Sequence, residues 1–266
     1  MTSESTAPYP LPSDTVNWLS DNEFVIAGTS FPMTIDQHAM HGVETSDNRF
    51  LLAKNRVLVE DLLKWASVER PKNVVEIGIF KGGSIALYTL VFQPTKLVGI
   101  EYEPARVAPL DAFIRERGLE GSVRLHYGVD QGDRPQMREI VDSEFGGNAL
   151  DLVVDDGSHR YEKTKSSFET LFPLVRPGGT YIVEDWGWAH WPGRVWQESE
   201  AFPATEPSLT TLLLEVCMLA ASQRDIVSRV TVESSLFRVT RGHGHVESGF
   251  TLGTHYLNRG KPLSLI

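Results

Sequence analysis

Short apolar runs alternate with helix-length amphipathic segments over the middle of the chain. NVVEIG (73–78), KLVGIE (96–101), SVRLHYG (122–128), ALDLVVDD (149–156) and GGTYIVED (178–185) have the length and β-branched content of strands. Several are apolar at successive positions, the pattern of strands covered on both faces, as in parallel sheets flanked by helices. Helices are predicted between them at 84–92, about 105–117, 134–144 and about 161–174. Five strand–helix repeats predict an open, doubly wound, Rossmann-like α/β sheet. The ending differs. A helix at about 209–222 precedes two β-rich runs, IVSRVTVE (226–233) and SLFRVTR (235–241), separated by almost nothing, so they should pair as an antiparallel hairpin. Upstream, Leu51, Val57, Leu58, Leu62, Leu63 and Trp65 recur at helical spacing within 48–70, and Pro71 stops the run. Between the first 15 residues and about Thr45 no period emerges, which predicts loop with short helical pieces. The first 15, rich in Ser, Thr and Pro, are expected to be a poorly ordered lead.

Composition narrows the function classes. At 266 residues the chain can bury a substantial core, and a hydrophobic fraction of 41% argues against wholesale disorder. A net charge of −10 without a basic cluster excludes nucleic acid and anionic membrane as main partners, since both demand a cationic face. The single cysteine, Cys217, lies in an apolar run and reads as a buried structural thiol. The N-terminus lacks a basic start and apolar stretch, and no segment approaches the roughly 18–20 apolar residues of a membrane span. The expected location is cytoplasmic.

The first strand turns into the first helix through VVEIGIFKGGS (74–84). Glycine there admits close backbone approach, and the helix start offers free N–H groups. The dinucleotide spacing G-x-G-x-x-G is absent, because Phe80 follows Gly78 where a glycine is needed. The spacing is instead E-x-G-x-x-x-G-G. A carboxylate at Glu76 is favourable beside a sulfonium or amine and repulsive beside a pyrophosphate, so the turn points to S-adenosylmethionine. Gly78, Gly82, Gly83 and Ser84 are its expected backbone contacts. Glu101, at the end of the second strand, is placed to accept ribose hydroxyls. Asp130 and Gln131, after the third strand, are placed to bond the adenine edge.

The fourth and fifth strands end in VVDDGSH and IVED, which brings Asp155, Asp156, His159, Glu184 and Asp185 to one crevice. Four converging carboxylates repel one another, and a divalent cation relieves the repulsion. Hard oxygen ligands and no nearby cysteine suit Mg²⁺ better than Zn²⁺. The strings VVEIGIFKGGS, VVDDGSH and IVED resemble the metal-dependent O-methyltransferases of natural-product pathways, among them macrolide-sugar and rhamnosyl O-methyltransferases and cephalosporin-hydroxylase-like proteins. The resemblance covers about 48–185 and implies a class I methyltransferase fold, whose seven-stranded sheet ends in the antiparallel hairpin already expected. It further implies metal ligation by Asp156, Glu184 and Asp185, with His159 as general base. Asp155 is left beside the cofactor or orienting substrate, and either aspartate of the pair suits the metal. Only about 70 residues precede the first strand, whereas several sugar-modifying members carry a sizeable extra N-terminal domain.

Four of the six tryptophans fall in 186–196, directly after the acidic pair. Trp186, Trp188, His190 and Trp191 are expected to form a substrate lid, because tryptophan faces suit sugar rings and flat ring systems. A hydrophobic plug or oligomer interface is the competing reading. The expected organisation is a lead and cap over 1–47, the methyltransferase domain over 48–241 with an insert at about 186–207, and an extension over 242–266. The expected function is methylation of a hydroxyl on a small molecule, best matched by a rhamnose-like sugar on a glycosylated natural product, by a homo-oligomeric enzyme. A non-sugar hydroxyl, or a non-catalytic cofactor-binding subunit, are the alternatives.

Overall fold

The computed structural model describes residues 16–200, 202–247, 249–261 and 263, so the lead expected over the first 15 residues lies outside them. The described residues group into two compact units, one lying within Met1–Lys72, Phe80–Thr95 and Arg106–Ser122, the other within Asn73–Ile79, Lys96–Ala105 and Val123–Ile266.

The second unit holds the sheet. Strands β4 (Asn73–Ile77), β5 (Lys96–Glu101), β6 (Val123–Tyr127), β7 (Leu150–Asp155), β8 (Val175–Glu184), β9 (Val227–Val232) and β10 (Leu236–Arg241) are arranged in the order β6-β5-β4-β7-β8-β10-β9. The five strands from β6 to β8 are mutually parallel, whereas β10 is antiparallel to both β8 and β9. Both the doubly wound sheet and its closing hairpin thus occur as expected. The order reverses direction at β4, and the carboxyl ends of β4 and β7 lie side by side there, the place where open α/β sheets bind ligands. Helices α5 (Arg134–Phe145), α6 (Tyr161–Leu171) and α8 (Leu209–Ser222) contribute Met137, Phe168, Leu212 and Val216 to a core with Val75, Val98, Val153 and Tyr181 from the strands. Short helices α7 (Arg194–Glu198) and α9 (Leu252–His255) complete this unit.

The first unit departs from the sequence expectation. Where no period was legible, a three-stranded antiparallel meander forms from β1 (Val16–Ser20), β2 (Glu23–Ile26) and β3 (Thr29–Pro32). Its apolar face stacks Trp18, Phe24 and Phe31 at centroid spacings of 5.0 and 5.1 Å. The β2–β3 turn uses Ala27 and Gly28, both at positive φ, the conformation that matches the twist of a tight hairpin. Helix α1 (Gln37–Gly42) follows. Helix α2 (Arg56–Glu69) starts well after residue 48 because Asn55 caps it, its side chain accepting from the Leu58 N–H. Phe50 and Leu52 are instead extended and donate their N–H groups to the Ser30 and Pro32 carbonyls at 2.9 Å, which buries Phe50, Leu51 and Leu52 outside any helix. Helices α3 (Gly83–Phe92) and α4 (Ala108–Glu116) also belong to this unit. No helix among the described residues is long and apolar enough to cross a membrane.

Candidate active site

Strands β7 and β8 are parallel neighbours, with Asp155 opposite Val183, so the residues that follow them leave the sheet together. Asp156 is fixed by its N–H donating to the Ile77 carbonyl at 2.9 Å, and Asp185 by its N–H donating to the Ser235 carbonyl at 2.6 Å. Both half-buried carboxylates face His159, whose Nε2 lies 4.0 Å from an oxygen of each. One ligand atom from each of the three falls within 4.8 Å of the others, a span that a single cation can bridge. Glu184, the third acidic residue expected here, stands outside this group. His159 and Asp185 have φ of +54° and +52°, a left-handed backbone that side chains rarely adopt and that tends to mark functional sites.

Of the aspartate pair, only Asp156 joins that group. Asp155 is the last residue of β7 and shares the inward face of Val153, so its carboxylate enters the core. There it accepts hydrogen bonds from Gln131 Nε2 at 3.0 Å, from Tyr181 Oη at 2.9 Å and from the Ser167 hydroxyl. Burial pushes its pKa up to about 6, against the pull of these donors. The Gln131 amide is also engaged at its other end, where Oε1 accepts from the Ser158 N–H at 2.8 Å. A chain of contacts therefore runs from the buried Asp155 through Gln131 to the turn that carries His159. The sequence held no local signal for this pairing, since Ser167 comes from α6 and Tyr181 from β8, and only the packing of both against β7 brings them to Asp155. Asp155→Asn would set an amide N–H₂ against the Gln131 N–H₂. It is expected to cost about 1–3 kcal/mol, the range for a buried polar group left mismatched. Thermal denaturation reads this, and an unchanged midpoint would contradict the buried network.

At the end of β4, Glu76 is fully buried and Gly78 has φ +96°. A Cβ built on Gly78 would sit 2.2 Å from the Asp156 carbonyl oxygen, so the glycine lets the β4 and β7 loops touch. The Glu101 carboxylate accepts from the Ile79 N–H at 2.8 Å and the Glu103 N–H at 2.9 Å, tying the end of β5 to the same turn. Gly82 caps α3, and Gly83 and Ser84 are its first residues. Asp130, expected at the adenine edge, pairs with Lys163 and accepts from the Gly132 N–H, and the Lys163 contact holds its carboxyl below the ordinary aspartate pKa.

The tryptophans after β8 are engaged within the protein, and Trp191 and Trp196 pair with each other. Trp188 is 7% exposed, sits 4.4 Å from the Phe202 ring, and donates its indole N–H to the His159 carbonyl at 2.9 Å. Trp191 and Trp196 meet edge to face at 4.9 Å. The Trp186 indole donates to the Glu233 carbonyl at 2.8 Å, and His190 is exposed with Nε2 2.7 Å from the Thr210 hydroxyl.

Residues 75–186 match a family model described as a methyltransferase domain. The chain is 31% identical over 132 residues to 8-demethyl-8-alpha-L-rhamnosyl tetracenomycin-C 2'-O-methyltransferase of Streptomyces olivaceus, a match covering 47% of this chain and 31% of that protein. It is 34% identical over 127 residues to demethylmacrocin O-methyltransferase of Streptomyces fradiae, covering 45% of this chain and 29% of that one. The matched region thus spans under a third of the length of these relatives. Among solved structures, the MycE methyltransferase of the mycinamycin pathway, in complex with Mg, SAH and mycinamycin VI, superposes with a TM-score of 0.52 at 24% identity, over 71% of this chain and 50% of that chain. The O-methyltransferase TomG of Streptomyces achromogenes superposes with a TM-score of 0.51 at 20% identity, over 72% and 82% respectively. Sheet order and superpositions agree: the chain has the class I methyltransferase fold, and its residues 75–186 match the methyltransferase-domain model.

Proposed function

We propose that this chain is an S-adenosylmethionine-dependent O-methyltransferase that works with Mg²⁺ on a sugar hydroxyl of a glycosylated natural product. The observation that carries this reading is the meeting of Asp156, His159 and Asp185 beside the glycine turn of β4, inside a matched methyltransferase domain. The donor chemistry fits the metal. Two half-buried carboxylates offer the hard oxygens that Mg²⁺ prefers, whereas imidazole suits softer ions and is better used as a base. Asp156 and Asp185 hold the cation, with Glu184 as the remaining acidic candidate beside them. The residues at the turn fit the cofactor as well. Glu76 and Glu101 lie near the carboxyl ends of neighbouring parallel strands, Gly78 follows β4, Gly82 caps α3, and Gly83 and Ser84 open it. When bound, the metal lowers the pKa of an acceptor hydroxyl and the sulfonium supplies the methyl group. The acceptor class is supported by the rhamnosyl and macrolide names of the relatives.

The test is methyl transfer from labelled S-adenosylmethionine to a rhamnosylated polyketide and to its aglycone, with EDTA and with Mg²⁺ restored. Transfer to the glycoside alone, lost in EDTA and regained with Mg²⁺, is the expected outcome, while calorimetry shows SAH still binding in EDTA. Undiminished transfer in excess chelator removes the metal from the reading, and transfer to the aglycone moves the acceptor off the sugar.

A further inference from the structure

We propose that Trp188 is a positioning residue, its indole N–H holding the His159 peptide in the left-handed turn that presents the imidazole to Asp156 and Asp185. The proposal rests on reading that trio as the reaction centre. Three observations carry it. The indole Nε1 donates to the His159 carbonyl at 2.9 Å. The Trp188 ring is 7% exposed and lies against Phe202, so the donor is itself held in place. His159 has φ +54°, a conformation disfavoured for any residue with a Cβ and kept only where the surroundings impose it.

The grip on this turn is two-sided. Ser158 is held through its N–H by Gln131, which is anchored on the buried Asp155. The next residue, His159, is held through its carbonyl by Trp188, which leaves the end of β8. Two successive residues are thus fixed by different segments, one reached through β7, which leads into Asp156, and one through β8, which leads into Asp185. Returning His159 to an ordinary backbone region would swing its carbonyl away from the indole. The hydrogen bond therefore favours the one conformation in which Nε2 stands 4.0 Å from both carboxylates. On this geometry Trp188 acts through His159, and its buried ring is not a face for substrate.

The experiment uses the whole chain. In the wild type, NMR should show a scalar coupling across the hydrogen bond between Trp188 Nε1 and the His159 carbonyl carbon, together with left-handed ¹³Cα and ¹³Cβ shifts at His159. Absence of either overturns the proposal, whether or not any variant folds. Trp188→Phe keeps a ring against Phe202 and removes the donor, so the His159 shifts should leave their left-handed values. With the rhamnosylated polyketide as acceptor, kcat should fall about 10–100-fold, the span for supports of a reactive group, with KM for S-adenosylmethionine unchanged. In a His159→Ala background the same substitution should add nothing, since its effect passes through the imidazole. Phe202→Leu loosens the packing alone and should leave the His159 shifts in place. If Trp188→Phe lowers thermal stability while the His159 shifts stay put, the contact is packing only and the proposal falls. If the wild type methylates none of the acceptors, the functional reading fails, and the His159 shifts still decide the role of Trp188.

Discussion

His159→Ala is expected to lower kcat by about 10²–10⁴, the usual span for losing a positioned acid or base, with SAH and Mn²⁺ affinities little changed. A sugar alcohol keeps its proton far above neutral pH and is a poor nucleophile until that proton has somewhere to go. Histidine is the side chain whose ordinary titration range lies near working pH, which makes it the natural recipient. The imidazole edge stands 4.0 Å from both carboxylates, so Asp156 and Asp185 would hold a cation beside Nε2, and an acceptor hydroxyl brought there would find its proton acceptor within reach. Steady-state rates on a rhamnosylated acceptor, with calorimetry for SAH, separate this role from binding. Near-wild-type kcat at neutral pH would mean that the proton leaves by another route. His190 is a poor substitute, being exposed and engaged with the Thr210 hydroxyl.

Gly78→Ala is expected to destabilise the protein by roughly 2–4 kcal/mol, combining overpacking with a left-handed backbone that alanine tolerates poorly. The added methyl would fall 2.2 Å from the Asp156 carbonyl oxygen and 2.8 Å from its carbon. Both are backbone atoms, so no side-chain rotation relieves the overlap. The loops of β4 and β7 must separate, and Asp156 moves with its own peptide. The variant should therefore lose Mn²⁺ affinity along with thermal stability. A melting temperature within a degree of wild type would show that the two loops do not meet as described.

The parallel strands and the hairpin were legible because their signals are local. Strand β5 and helix α8 occupy the spans that the apolar pattern predicts, 96–101 and 209–222. The meander of β1 to β3 was not legible. Its strands are four or five residues long, and the Ala27–Gly28 turn lacks the Asn-Gly or Asp-Gly signature of tight hairpins. Leu51 misled in the opposite direction. It falls in helical phase with Leu58 and Leu62, yet it is buried through extended pairing beside β3, a tertiary outcome that periodicity does not encode. At the site, the strand-end carboxylates could be listed from the chain alone because a doubly wound sheet gathers such ends. The inward turn of Asp155 was not legible, since β7 is buried on both faces and the parity shared with Val153 does not separate core from crevice. The Trp188 contact was not legible either, because it joins residues from two loops with no period of their own.

The clamp on Asp185 has a consequence for the order in which the protein becomes competent. Its N–H is held by the Ser235 carbonyl, and the next residue, Trp186, donates to the Glu233 carbonyl. Both partners sit at the turn between β9 and β10, made after all the other strands of the sheet except β10 itself. During synthesis Asp156 and His159 are already made, and their tether to Gln131 available, well before Ser235 leaves the ribosome. Asp185 waits for the hairpin. Until then β8 also presents a bare edge on the side that β10 will occupy, an edge open to pairing with another chain. A message truncated between α8 and β9 would therefore yield a protein that has every proposed metal ligand in its sequence and still lacks the backbone contact that aims one of them.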